Sequence, residues 1–218
     1  MRVAAWIFVV CAVAAAIGMF LPALEVRVGG NPLAKRTSLS IYRANTNSEF
    51  IRRLVAGYKA SSGKKLGTAV AAELMPRVGG KLHGAIDDAS SAMTSLDDVS
   101  DSDAKTLARV LAISLWTFIA LHVAMALVVG ADLVRDRFRR SRLIAALAMA
   151  VVSAAAGIAI HVGCSMAIAE ANDDLGKDLI GYGAGAWLIP IAAIGGLGAA
   201  IALLVIHRRA GHTAATSG

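Results

Sequence analysis

Four stretches of the chain each hold about 20 consecutive residues without Asp, Glu, Lys or Arg, the length that an α-helix needs to cross roughly 30 Å of hydrocarbon. They run from Val3 to Leu24, Ala108 to Ala131, Leu143 to Ala169 and Gly183 to Ile206. All are rich in Ala, Val, Ile and Leu. Backbone polar groups in lipid must be satisfied within the protein, so these runs are expected as helices. The fold class expected is therefore an all-α membrane protein, a four-transmembrane-helix bundle. The first run is about twice the length of a signal-peptide apolar core, and Phe20-Leu21-Pro22-Ala23-Leu24 gives no clean small-x-small cleavage site, so it is expected to be retained as a span.

The chain between the first two runs, residues 25–107, carries a different pattern and is expected as a mostly helical extracytoplasmic cap. Leu24-Glu25-Val26-Arg27-Val28 alternates with period two, Gly29-Gly30-Asn31-Pro32 breaks it, and Ser38-Leu39-Ser40-Ile41-Tyr42 alternates again. That pattern suits a short β-hairpin at the start of the cap. Helical periodicity follows. Thr46-Asn47-Ser48-Glu49 has capping-box spacing, and Phe50, Ile51, Leu54, Val55 and Tyr58 then share a face opposite Arg52, Arg53 and Lys59. Leu66, Val70 and Leu74 mark a second helix. Leu82, Ile86, Ala89, Met93 and Leu96 mark a third, and Ser100 with Asp103 offers a helix start leading into the second span.

Orientation follows from Lys and Arg in the short segments. Arg2 precedes the first span. Arg135, Arg137, Arg139, Arg140 and Arg142 fill the connection 132–142, and Arg208 and Arg209 open the tail 207–218. The connection 170–182 is acidic, with Glu170, Asp173, Asp174 and Asp178 against Lys177. Both termini and the basic connection are expected in the cytoplasm, with 25–107 and 170–182 outside, in a multi-pass protein of the cell (inner) membrane. The formal net charge of +7 is accounted for by this topology and calls for no nucleic acid. The arginine cluster sets topology and offers a surface to anionic lipid.

Chemistry inside the spans is sparse. No Asp, Glu, Lys or Arg lies at mid-depth. His122 and His161 differ in height by more than about 10 Å at 1.5 Å per residue, too far to share a metal whose ligands must lie within roughly 2 Å of it. The two cysteines, Cys11 and Cys164, also fall at different depths. No metal, cofactor or catalytic residue is assigned, and the glycine clusters at 181–185 and 195–198 lack the strand and acidic partner of a nucleotide loop. His161 instead belongs to an i+4 row, Met149, Ser153, Gly157, His161, Ser165 and Ala169, of which Ser153, Gly157, His161 and Ser165 form a candidate polar intramembrane face. Ala192, Gly196 and Ala200 supply a small-xxx-small packing row in the last span. Phe50, Leu54 and Tyr58 are the candidate partner face.

Four spans with cytoplasmic termini, a large first outer loop and a short second one resembles the topology of claudin-like tetraspan proteins. The Trp and paired-Cys motif of the claudin first loop is missing here, and the resemblance extends to topology alone. The expected function is a non-enzymatic structural or interaction protein whose outer loop engages a partner, in contact with the bilayer and with a protein or its own copies. The alternative is an oligomeric channel or transporter subunit with a polar face on the third span.

Overall fold

The computed structural model describes residues 1–28, 31–32, 38–48, 50–52, 70, 74, 101–135, 137–175 and 178–216. The elements are α1 (Arg2–Gly18), β1 (Pro22–Val28), β2 (Asn31–Pro32), β3 (Ser38–Ser40), α2 (Ile41–Thr46), α3 (Asp101–Arg135), α4 (Arg140–Leu175), β4 (Ile180–Tyr182) and α5 (Ala184–Thr216). Among the described residues, three helices are long and apolar enough to cross a membrane, over Ala104–Arg135, Arg140–Asp173 and Ala184–Ala210, whereas α1 is a shorter apolar helix. The apolar run from Val3 is helical only to Gly18. Pro22, which has no amide proton to continue a helix, opens β1 instead. Residues 54, 58 and the repeats at 82–96 lie outside the described residues.

The described chain divides into two compact units, Met1–Gly18 with Thr117–Ile160 and Leu188–Gly218, and Met19–Trp116 with His161–Trp187. In the first, one apolar cluster draws on all four helices: Ala5, Phe8 and Ala12 of α1, Met125, Val129 and Leu133 of α3, Leu143, Ala146 and Ala150 of α4, and Ala199, Ala200 and Leu203 of α5. Half of these residues are alanine. Bulky groups such as Val10, Leu127, Val151, Ile191 and Ile201 point outward. Helices in lipid gain little by hiding large apolar groups from each other and associate through close backbone contact at small residues, which is this distribution. Ala192, Gly196 and Ala200 are buried here, and Gly157 is pressed so closely on α5 that a Cβ would lie 3.2 Å from the Ala193 Cβ and 3.3 Å from the Pro190 Cα.

The second unit is organised by β1. It pairs antiparallel with β3 (Pro22 opposite Ser40, Glu25 opposite Ser38), with β4 (Leu24 opposite Tyr182, Val26 opposite Ile180) and, at its far end, with β2. The alternation read from the sequence thus does make a strand, and Leu24 and Val26 are buried. The second alternating stretch is strand only to Ser40, however. Ser40 caps α2 by accepting from the Arg43 amide at 3.1 Å, and Ile41 and Tyr42 become helical. The capping-box expectation shifts by one residue. Thr46 ends α2 with its hydroxyl donating to the Tyr42 carbonyl, and Asn47 accepts from the Phe50 amide at 3.3 Å, Asn being as good an N-cap as Thr.

Strand β4 was not expected. Its position is fixed by Asn172 near the end of α4, whose Oδ1 accepts from the Leu179 and Ile180 amides and whose Nδ2 donates to the Ile180 carbonyl. Gly183 then donates its amide to the Ala23 carbonyl at 2.8 Å, and any side chain there would collide with the Pro22 backbone. On the outward face of β1, Arg27 bridges Glu25 at 2.7 Å and donates to the Tyr182 carbonyl.

Two glycines of α4 separate packing from helix propensity. Gly157→Val is expected to lower the melting temperature of the detergent-purified protein by several degrees. Gly163→Ala, where a Cβ meets nothing within 4 Å, is expected to leave it unchanged or raise it, since Ala favours a helix by about 1 kcal/mol over Gly. Equal effects would show that the contact of Gly157 with α5 is not what holds the first unit together.

Candidate functional site

Helices α3 and α4 are antiparallel, and within the first unit two polar pairs tie them. His122 Nδ1 lies 2.7 Å from the Phe118 carbonyl and Nε2 lies 2.6 Å from Ser153 Oγ. A carbonyl can only accept, so the network assigns the proton to Nδ1, and the Ser153 hydroxyl donates to Nε2. Both residues are 1% exposed. Nearer the short connection, Asp132 accepts from Arg142 at 2.5 Å, its side chain only 3% exposed. One arginine of the basic cluster is therefore committed to a carboxylate, while Arg135, Arg137, Arg139 and Arg140 are exposed.

In the second unit, His161 Nδ1 is 3.0 Å from the Ala186 carbonyl, which makes it the donor. The reason is visible in the sequence of α5. The amide that would close on Ala186 in a regular helix is that of residue 190, which is proline and has no N–H. The carbonyl freed by Pro190 is thus supplied with a donor by a side chain from α4, as a buried carbonyl requires. The imidazole stacks on Tyr182 (centroids 5.2 Å, 11° between planes) and contacts Trp187 at 4.8 Å, and these two rings also touch. Phe20, Tyr42 and Trp116 form a separate aromatic run in the same unit.

An open cleft of about 580 Å³ lies beside the end of α4, lined by Ser165, Ile168, Ala169, Asn172, Asp173, Asp178 and Tyr182. Its carboxylates are those of the acidic connection. The Asn172 amide is already used on β4. Glu170, on the same stretch of α4, buries Oε1 with no hydrogen-bond partner among the described residues.

The four residues of the candidate polar face are not gathered into one site. Ser153 is sealed against His122 and Gly157 is packed on α5, both in the first unit. His161 is engaged with Ala186 and its aromatic neighbours in the second, and Ser165 is exposed beside the cleft. An i+4 row gains about 40° per step on a 3.6-residue helix, so Ser153 and Ser165, three steps apart, point in directions about 120° different. Of the candidate partner face, Phe50 is 4% exposed and belongs to the core of the second unit, whereas Leu54 and Tyr58 lie outside the described residues.

The pairing of His122 with Ser153 escaped the sequence reading, yet its signal was present. His122 is nine residues from Ala131 and Ser153 ten from Leu143, the two ends of the same short connection. The depth comparison that separates His122 from His161 places His122 level with Ser153. No family model matches the chain, and neither the curated proteins nor the solved structures give a match.

Two outcomes check these networks. Ser153→Ala leaves Nε2 of a buried imidazole without its donor and is expected to cost about 1 kcal/mol, measured as a lower melting temperature. His122→Leu with Ser153→Ala is expected to recover most of it, and a harmless Ser153→Ala would show that the hydrogen bond contributes nothing. His161→Phe preserves the ring contacts but removes the donor. It is expected to destabilise the protein with Pro190 present and much less in a Pro190→Ala background, where the amide of residue 190 closes on Ala186. Identical losses in both backgrounds would contradict the compensation.

Proposed function

We propose that the protein is a non-enzymatic, multi-pass protein of the cell membrane with four spans, a tetraspan build, whose helices support an outer module that engages a protein partner. In this reading α1 is the fourth span. Its 17 residues cover about 26 Å at 1.5 Å per residue, it carries no charged residue after Arg2, and Val3, Trp6, Val10 and Ile17 face outward. The outer module comprises residues 19–107 and 170–182, and both termini and the arginine-rich connection lie in the cytoplasm.

One observation carries the reading. Strand β1, from the connection between α1 and α3, pairs with β4, from the connection between α4 and α5. Two loops that a simple bundle would leave independent are joined by backbone hydrogen bonds and by the Arg27 side chain on the Tyr182 carbonyl. Such a joined module is a suitable support for recognition, because loops held on a rigid frame carry binding function at little ordering cost.

The interior of the first unit argues against catalysis and against a pore within one chain. The Ser153–His122 pair has the contact distance of a nucleophile and base, but both are shut off from solvent and Nδ1 is held by a backbone carbonyl rather than a carboxylate. The remaining core is filled with Ala, Leu and Val together with Phe8 and Met125. The channel-subunit alternative draws on exposed Ser165 and the polar cleft beside it, which would have to line a conduit between copies.

A photo-crosslinking amino acid at exposed Ser48 is expected, in the host membrane, to capture one discrete second polypeptide. The same probe at outward-facing Val151 is expected to capture none. Crosslinks only to further copies of this chain, together with solute flux in liposomes that His161→Ala or Ser165→Leu alters, would replace this reading by the channel.

A further inference from the structure

We propose that the connection between α3 and α4, residues 135–142, is a binding site for the phosphate group of anionic phospholipids. Its place along the helices is the first ground. The ends of α3 and α4 are separated by residues 136–139 alone, so the connection cannot extend away from the ends of two membrane-length helices. Val134, at 88% exposure, and Ile144 are outward-facing apolar residues on either side of it. The arginines therefore stand where apolar surface gives way to polar surface, at the depth of lipid headgroups.

Charge is the second ground. From residue 110 to residue 169 the only carboxylates are Asp132 and Asp136, against five arginines at 135–142. Asp132 is buried and taken by Arg142, so it does not offset the other four, and Arg135, Arg137, Arg139 and Arg140 are exposed. Every basic residue in the segment is arginine. A requirement for charge alone would be met equally by lysine, whereas the guanidinium fork matches the paired oxygens of a phosphate.

The start of α4 agrees with the same ligand. Its first turn holds Arg140 and Arg142 and no acidic residue, and Arg139, just before it, has no side-chain acceptor with which to cap the helix. Positive side chains at the positive end of a helix are mutually unfavourable, and an anion there relieves the conflict. A lipid phosphate at headgroup depth meets the exposed guanidinium groups and the first backbone amides of α4, which have no partner within the helix, together. Anionic lipid is favoured over free phosphate by its standing concentration at this depth.

Native mass spectra of the full-length protein, released from micelles holding equal amounts of phosphatidylglycerol and phosphatidylcholine, provide the test. The wild type is expected to retain phosphatidylglycerol in preference. R139Q/R140Q is expected to lower that preference by roughly thirtyfold, given about a kilocalorie for each of the two surface arginines. If that variant does not insert, the preference of the wild type is still expected to fall steeply as salt is raised. Equal retention of both lipids, a preference untouched by R139Q/R140Q, or a preference indifferent to salt would each overturn the proposal. So would inorganic phosphate that binds the delipidated protein and displaces phosphatidylglycerol, since the site would then serve a soluble anion.

Discussion

Helices built to lie in hydrocarbon must satisfy every polar atom within the protein, because no water is present to do so. Most of what is specific in this chain follows from that constraint. His122 has two ring nitrogens and finds two partners, Phe118 and Ser153. Asp132 is buried and finds Arg142. Pro190 frees a carbonyl and His161 supplies its donor. The two pairs between α3 and α4 share one antiparallel register, His122 with Ser153 and Asp132 with Arg142, so each fixes the sliding of one helix on the other and confirms the alignment set by its neighbour. A slip of one residue would break both at once.

The helix cluster of the first unit and the sheet of the second answer the hydrophobic problem in opposite ways. In the first, alanines make up half of the contact cluster and many large residues face outward, because surrounding lipid is no worse a neighbour for leucine than another helix is. In the second, Leu24, Val26, Leu39 and Ile180 are buried while Glu25 and Arg27 pair on the outward side of the sheet, the alternation of a sheet with one face to water. Side-chain caps at Ser40 and Asn47 and the Asn172 bracket on β4 belong to the same regime.

This division explains what could be read from the sequence. Uninterrupted apolar length marks α3, α4 and α5, since lipid imposes a simple rule on composition. Alternation marks β1 for an equally simple reason. The end of α1 was less legible, because Phe20 to Leu24 is as apolar as the helix before it and only Gly18 and Pro22 betray the turn. Strand β4 was hidden: Ile180-Gly181-Tyr182 is too short to show a period and exists as strand because β1 lies beside it. An i+4 row on α4 drifts by about 40° per step, so its members meet different surroundings, and the His122–Ser153 pair is legible only when depths are compared between helices rather than periods within one.

The join between β1 and β4 also bears on the order in which the molecule is assembled. Arg27 and its acceptor Tyr182 are 155 positions apart, and the chain between them contains the whole of α3 and α4. During synthesis β1 emerges early, and the edge that β4 will cover remains open until both long helices have been made. Pairing across so wide a separation is slow to form, since the loop must close before any contact rewards it. An open strand edge is meanwhile a template for unwanted association. Closure of this edge thus makes the sheet a late step that registers the successful placement of the helices between its strands.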